Sequence, residues 1–319
     1  MLDSIRHLIR YSFKLSYLAL NRLTWGWYGV AVTTIREFSE LRSFESGASI
    51  AYYALFSLLP LIIFLIFILG LFINSQAVEA QVIRFLDEFF PLPNDEVNAL
   101  VQQNIQMLVE QRNSMGLLAG VGLLWAGSGV FLSLARNVNR AWHTTAKPLD
   151  FLKGRLIAFV MMAALVAVLL FSFISTATLN IIASFELPLV GTAIYQTYLW
   201  SLATLVLPYL LSFIAFLAIY RWVPNTEVRW PEALGGALLA TIAWRMAIYG
   251  FSWSVRIGLI NYHVIYGSLA TILLVMFWIY ISSLILLFGA HFSAAIARHK
   301  RPRPEAREDI TLKTGPTTR

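Results

Sequence analysis

At residues 265–296 the chain reads IYGSLATILLVMFWIYISSLILLFGAHFSAAI, without a single Asp, Glu, Lys or Arg. A transmembrane helix needs about 20 consecutive apolar residues, so this run is long enough to cross a bilayer. The whole chain shares this character, since 58% of its 319 residues are hydrophobic and 13% are charged. Soluble domains carry about 25% charged residues. The composition therefore predicts an all-α integral membrane protein.

Five further apolar runs have comparable length, and the set predicts a six-helix transmembrane bundle within residues 48–297. The predicted spans are 48–73, 116–135, 156–182, 199–220, 233–254 and 265–296. Residues 1–47 precede the bundle as a basic, amphipathic segment. Residues 298–319 follow it as a polar, proline-interrupted tail that we expect to be disordered. No short apolar core with a small-residue cleavage site begins the chain, so we expect no signal peptide.

Lys and Arg are concentrated in segments that would share one side of the membrane. The segments 1–47, 136–155, 221–232 and 297–319 hold 20 of the 24 basic residues. This asymmetry places both termini in the cytoplasm by the positive-inside rule. The net charge of +7 is then a feature of topology, and we expect no nucleic-acid partner.

Three polar segments outside the spans each allow two interpretations. Residues 1–24 fit a basic helix on the inner leaflet or a solvated arm that packs on the bundle. The acidic loop 74–115 fits an external amphipathic helical hairpin, which could be a lid or a brace. The basic cluster after the last span could bind anionic lipid heads or could simply fix the topology. That cluster comprises Arg298, Lys300, Arg301 and Arg303.

Two prolines interrupt the first and fourth predicted spans at Pro60 and Pro208, so they are candidate helix breaks or gating positions. Matching breaks in two halves of opposite orientation are typical of 3+3 inverted repeats in transporters. Prolines are also frequent in transmembrane helices generally, so chance is the alternative. Each proline frees one backbone carbonyl and should face protein or a watery cavity. Tyr53 and Ser57 lie within two turns of Pro60, and Ser57 is too deep to be interfacial.

Arg245 is the one basic residue well inside a predicted span, and no Asp or Glu lies at comparable depth. A buried charge costs several kcal/mol at least, so it needs a partner. In one interpretation Arg245 binds freed backbone carbonyls or Asn180 and locks the bundle. In the other it grips an anionic ligand, with Tyr53 and Ser57 nearby. Arg245, Tyr53, Ser57 and Asn180 are therefore the candidate substrate-binding residues.

The sequence shows no pattern of an enzyme. There is no cysteine, and the five histidines show no metal-ligand spacing. Neither a metalloprotease, a nucleophile-elbow, a P-loop nor a dinucleotide-binding motif is found. We expect no catalytic residue, no metal and no cofactor. A membrane-embedded hydrolase is a third interpretation, which would need a nucleophile beside a base.

Three stretches together resemble one family of bacterial inner-membrane proteins. They are ASIAYYALFSLLPL at 48–61, LWAGSGVFLSLARNVNRAW at 124–142, and YHVIYGSLATILLVMFWIYISSLILLFGAHFSAAI at 262–296. These residues resemble the YihY/BrkB family, once labelled ribonuclease BN. The resemblance implies a six-helix protein of the bacterial cytoplasmic membrane with cytoplasmic termini. It carries no settled activity, and the residues do not support the ribonuclease label.

The family motif maps onto named positions of this chain and differs at one of them. Where the family usually has Gly-Ala-Glu, this sequence has Gly289, Ala290 and His291, so any role of that acid is in doubt here. The matching positions are Ala51, Tyr52, Ser57, Pro60, Asn139, Trp142, Tyr266, Gly267, Trp278, Tyr280, Gly289 and Ala290.

The leading functional hypothesis is a transporter, exporter or lipid flippase. Its expected ligand is an anionic or zwitterionic lipid or small solute, and its expected partners are membrane lipids. The alternative is a non-transporting envelope scaffold that acts through the external hairpin at 78–113. The sequence does not indicate an oligomeric state.

Overall fold

The computed structural model describes residues 24, 26–69, 112–142, 154–156, 158–163, 198–257 and 269–300. Within these ranges the chain is all-helical and contains no strand. A short apolar helix, Gly154–Ala163, lies between α3 and α4 in sequence. The long helices are α1 (Trp27–Glu40), α2 (Ser43–Leu69), α3 (Arg112–Ala141), α4 (Tyr198–Trp222), α5 (Trp230–Arg256) and α6 (Leu269–Lys300).

Three described segments are long and apolar enough to cross a membrane: Ser43–Ile68, Trp230–Ser254 and Ile272–Lys300. They coincide with the first, fifth and sixth predicted spans. Helices α3 and α4 cover the second and fourth predicted spans, and α4 continues through Pro208. Several predictions fall outside the described residues, namely residues 1–23, most of the hairpin, most of the third span, Asn180, Tyr266, Gly267 and the tail from Arg301.

Helices α2 and α3 form an antiparallel pair whose closest approach depends on Gly129. A Cβ added at Gly129 would lie 2.8 Å from Cδ1 of Tyr53, and one added at Gly122 would lie 3.8 Å from Cβ of Pro60. Going from Tyr53 to Pro60 along α2 thus corresponds to going back from Gly129 to Gly122 along α3. Pro60 therefore lies in an unbroken α2 and packs against protein, as a proline in a membrane helix requires.

Helices α4, α5 and α6 meet around Tyr220, whose side chain is completely buried. Its hydroxyl donates to the carbonyl of Leu286 at 2.8 Å. A Cβ at Gly236 would lie 2.7 Å from the carbonyl oxygen of Gly289, and one at Gly289 would collide with the Tyr220 hydroxyl. Small residues let helix backbones approach in this way, so the motif position Gly289 serves packing.

The start of α5 is fixed by Glu232, which is 2% exposed. Its Oε2 accepts the backbone N–H of Arg229 at 2.8 Å, which is one half of a capping box. Its carbonyl accepts the hydroxyl of Ser293 on α6 at 2.8 Å. Beside this end, the Arg221 guanidinium lies 5.5 Å from the ring centroid of Trp230. These contacts join the end of α4, the start of α5 and α6.

Helix α1 was not predicted as a separate element, and it packs on α6 through a buried ion pair. Glu37 on α1 is 7% exposed and pairs with a guanidinium N–H of Arg298. The same guanidinium donates to the carbonyl of Ala141 at the end of α3, at 3.1 Å. Helix α6 runs through Lys300, so Arg298 lies in its last turn rather than in a free tail. A buried carboxylate needs a cation, and Arg298 supplies it.

Candidate functional site

A cavity of about 720 Å³ lies between α2, α3 and the start of the short helix Gly154–Ala163. Helix α2 contributes Glu45, Ser46, Ser49, Tyr52, Tyr53 and Phe56. Helix α3 contributes side chains between Trp125 and Arg140, and the short helix contributes Arg155. The size is within the range of small-molecule sites, about 300–1,000 Å³.

Three arginines and one carboxylate make the lining of this cavity positive. Arg136 and Arg140 lie one turn apart on α3, and both are exposed. In the described ranges no carboxylate lies within ion-pair distance of either. The carboxylate of Glu45 is already engaged, because its Oε1 lies 2.6 Å from Nη2 of Arg42 and accepts Nε–H at 2.8 Å. Among the described residues, the guanidinium groups of Arg136 and Arg140 therefore face the cavity without a compensating acid.

Arg155 is held against the cavity wall at the level of Trp125. Its guanidinium donates to the hydroxyl of Ser128, and its Cζ lies 5.4 Å from the ring centroid of Trp125. The Ser128 hydroxyl in turn donates to the Trp125 carbonyl at 2.8 Å. A third positive charge thus lies deeper along the cavity than Arg136 and Arg140.

The structure separates the predicted substrate-binding residues. Tyr53 lines the cavity, as does its neighbour Tyr52. Ser57 is buried and donates to the carbonyl of Ala54 at 3.0 Å, so its hydroxyl is used within α2. Arg245 is not among the residues that line the cavity. Asn180 lies outside the described residues.

Arg245 on α5 packs against an aromatic ring rather than a carboxylate. Its Cζ lies 4.1 Å from the ring centroid of Tyr209 on α4, and the Tyr209 hydroxyl lies 3.3 Å from that of Tyr249. Its Nε is buried and has no hydrogen-bond partner in the described part of the chain. A cation over a tyrosine face is stabilised by about 0.5–2 kcal/mol. The partners predicted from the sequence were backbone carbonyls, an amide side chain or an external anion, and this aromatic partner was not among them.

Asn139 joins α3 to the segment that follows α4. Its Nδ2 donates to the carbonyl of Ala135 at 2.8 Å and to that of Val223 at 3.4 Å, and its Oδ1 accepts the N–H of Asn225 at 2.6 Å. The next motif position, Trp142, packs partly buried against the core. These motif positions make packing and backbone contacts, as Ala51 and Trp278 do in the core.

His291 lies where α1, α2 and α6 meet, and its side chain is 2% exposed. Its Nε2 lies 3.0 Å from the hydroxyl oxygen of Ser43, and its ring centroid lies 5.6 Å from that of Phe38. The imidazole therefore contacts the start of α2 and the aromatic face of α1, and it does not line the cavity. Among the described residues no cluster of three or more His, Cys, Asp or Glu could hold a metal ion.

The cavity arginines were not predicted as site residues. Arg136, Arg140 and Arg155 were counted as part of the basic segment 136–155 that sets topology. One signal in the sequence could have singled out two of them. Arg136 and Arg140 are four residues apart, which places both on one helix face.

Comparison with known proteins gives a consistent result along most of the chain. The family model described as "Virulence factor BrkB" matches residues 34–311. A UPF0761 membrane protein of Pseudoalteromonas translucida is 31% identical over 256 residues, which cover 78% of this chain and 79% of the relative. A UPF0761 membrane protein of Glaesserella parasuis is 29% identical over 214 residues, or 66% of this chain and 70% of its own. A UPF0761 membrane protein of Vibrio vulnificus is 26% identical over 262 residues, which cover 82% of this chain and 79% of the relative. No solved structure matches.

Proposed function

The chain belongs to the virulence factor BrkB family and is a membrane protein, and we propose that it moves an anionic or zwitterionic lipid or small solute across the bacterial cytoplasmic membrane. The cavity between α2 and α3 is the proposed binding site for this ligand. The observation that carries the proposal is the pair Arg136 and Arg140, which face the cavity without a compensating carboxylate among the described residues.

The proposed topology has six spans, with both termini in the cytoplasm and two inverted halves of three spans each. Its support is the basic charge of the segments at the chain ends and between spans. In this topology Arg136 and Arg140 lie at the cytoplasmic end of α3, and the cavity opens toward the inner leaflet. An anion from the cytoplasm or the inner leaflet would meet these two guanidinium groups first.

The chemistry of the lining favours an anion with several oxygens. A guanidinium presents a planar fork of N–H donors that pairs with carboxylate or phosphate in a bidentate manner. The hydroxyls of Tyr52 and Tyr53 are additional donors on the opposite wall. At an effective dielectric constant of about 20, two unit charges 4 Å apart interact by roughly 4 kcal/mol. A hydrogen bond to a charged group is worth about 1.5–3 kcal/mol, and because Arg136 and Arg140 are exposed, we expect each to contribute at the lower end of this range, which is roughly tenfold in affinity.

The test is transport by purified protein in liposomes, measured with a fluorescent phosphatidylglycerol and with a small organic anion. Arg136→Gln combined with Arg140→Gln should lower the rate by roughly 100-fold. Arg36→Gln is the matched control, because Arg36 is an exposed arginine that pairs with Glu40 on α1, away from the cavity. A further variant, Arg245→Gln, tests whether the Arg245 cation also contributes to the transport rate.

Two results would contradict the proposal. Unchanged transport in the double variant would show that Arg136 and Arg140 do not take part in transport, whatever the substrate. No movement of either probe by the wild-type protein would favour the scaffold alternative. In that case deleting residues 78–113 should destroy function in cells while the double variant is tolerated.

A further inference from the structure

We infer that the ligand of the cavity is an amphiphile with a phosphate headgroup, that is a phospholipid, which enters sideways from the bilayer. The inference rests on the proposed function and names its substrate class. The phosphate chemistry is common to a lipid headgroup and to a free phosphate ester. The shape and surroundings of the cavity favour the lipid.

One face of α3 changes from apolar to cationic along its length. Residues spaced by three or four share a helix face, and the series from Leu118 to Arg140 keeps this spacing. Leu118, Val121 and Trp125 are exposed at one end, and Arg136 and Arg140 are exposed at the other. At about 1.5 Å per residue, roughly 22 Å separates the level of Trp125 from that of Arg140. A phosphate bound at the arginines thus leaves an apolar track above it.

The facing wall on α2 shows the same change in the same direction. Since the two helices are antiparallel, Glu45, Ser46 and Ser49 lie opposite the arginine end of α3. Tyr52 and Phe56 lie farther along, toward Trp125, and both are exposed. The cavity therefore has a polar end for a headgroup and an aromatic end for the first part of an acyl chain.

The aromatic end of the cavity joins a surface that would face lipid. Trp125 is 76% exposed, and it continues the exposed stripe of Leu118 and Val121 on a helix of a membrane protein. Basic pockets between transmembrane helices on the cytoplasmic side are suited to anionic lipid headgroups. A soluble anion would gain nothing from the aromatic walls, whereas each buried methylene of a lipid raises the affinity by about fourfold.

Arg155 fits this arrangement as a cation inside the apolar end. Its contacts with Trp125 and Ser128 keep its charge on the cavity wall, beyond Arg136. A headgroup that leaves the outer arginines would meet this guanidinium next. The charges along the cavity are thus placed so that a lipid phosphate can move from Arg136 and Arg140 toward Arg155. The acyl chains of the lipid would meanwhile remain among apolar side chains.

The experiment measures binding to the full chain in maltoside micelles by calorimetric titration. The two probes are dihexanoyl phosphatidylglycerol and glycerophosphoglycerol, which have the same headgroup with and without acyl chains. We expect the lipid to bind at least about 100-fold more tightly, since several methylenes are buried. The combined substitution Phe56→Ala and Trp125→Ala should lower the ratio of the two affinities by about tenfold, because the acyl chains lose both aromatic contacts. Trp222→Ala is the matched control, because Trp222 is an exposed tryptophan that does not line the cavity.

The arms of the experiment separate the inference from the proposed function. If both probes bind with equal affinity and Arg136→Gln weakens both, the site takes a soluble phosphate ester and the lipid inference is overturned while the anion site stands. If Arg136→Gln changes neither affinity, the anion site itself is overturned. If the aromatic double variant and the Trp222 control lose equal affinity, the effect comes from general membrane contact, and the inference fails.

Discussion

Replacing Glu37 with glutamine should loosen the contact of α1 with the rest of the bundle. The Glu37 carboxylate pairs with Arg298, and Arg298 also donates to the carbonyl of Ala141, so one guanidinium connects α1, α3 and α6. Glutamine keeps the shape and one hydrogen-bond acceptor but removes the charge. The Arg298 cation then remains in a mostly buried position with a weaker partner.

The expected magnitude follows from the burial of the two side chains. Breaking a fully buried ion pair by removing one partner costs about 3–5 kcal/mol. The Glu37 side chain is 9% exposed, but that of Arg298 is 29% exposed, so water screens part of the loss. Glutamine also retains a neutral hydrogen bond, worth about 1 kcal/mol. We therefore expect a loss of about 2 kcal/mol, which corresponds to a decrease in apparent Tm of roughly 4–8 °C.

The assay is thermal unfolding of the detergent-solubilised protein, followed by size-exclusion chromatography at a fixed heating time, because the unfolding of membrane proteins in detergent is often irreversible. Glu40→Gln is the matched control on the same helix. Oε1 of Glu40 lies 3.4 Å from Nε of Arg36, and both side chains are exposed. The change should therefore cost under about 0.5 kcal/mol. Equal shifts for the two variants would refute the argument that burial makes the Glu37 pair important.

Three further substitutions test other contacts. Gly236→Ala should lower the free energy of unfolding by about 2–3 kcal/mol, and with it the apparent Tm, because its Cβ would lie 2.7 Å from the carbonyl oxygen of Gly289. Gly250→Ala, where nothing lies within 4 Å, is the control and should not destabilise the protein. Asn139→Ala should lower the free energy of unfolding by about 0.5–1.5 kcal/mol, because it removes the acceptor of the Asn225 N–H at an exposed position, and an unchanged Tm would show that this contact is dispensable. Arg245→Gln should lower the free energy of unfolding by about 0.5–2 kcal/mol through loss of the tyrosine contact, and a rise in Tm would show that the charge is costly in its place.

Most of the helical architecture follows from hydrophobicity alone, because a membrane-spanning segment must satisfy its backbone internally and be apolar outside. The helices containing Pro60, Trp125, Trp244 and Trp278 lie where apolar runs predicted them. Helix α1 was missed because it is too short and too polar for a span. Its partner, Arg298, is distant in sequence, so the burial of Glu37 could be recognised only from tertiary structure.

The sequence predicted only part of the candidate site. The position of a residue along a span does not show which residues of other helices lie beside it. Tyr53 was singled out for its closeness to Pro60, and it lines the cavity. Arg245 was singled out as a charge far from any acid, and its aromatic partner Tyr209 lies on another helix, next to Pro208. Arg136 and Arg140 were passed over because a basic residue near a span end is sufficiently explained by topology.

Topology and ligand binding make different demands on a basic residue, and this difference separates the two roles of Arg136. Orientation in the membrane depends on the number of Lys and Arg in a short loop, so Arg136→Lys should insert normally. Bidentate binding of phosphate depends on the planar fork of the guanidinium, which lysine lacks. We therefore expect the Arg136→Lys variant to be inserted in the membrane in the same amount as the wild-type protein and to have the same Tm. Its rate of lipid transport should be lower by roughly tenfold. Transport at the wild-type rate would mean that the cavity needs a positive charge but not the guanidinium, and normal insertion with reduced transport would assign Arg136 to the ligand.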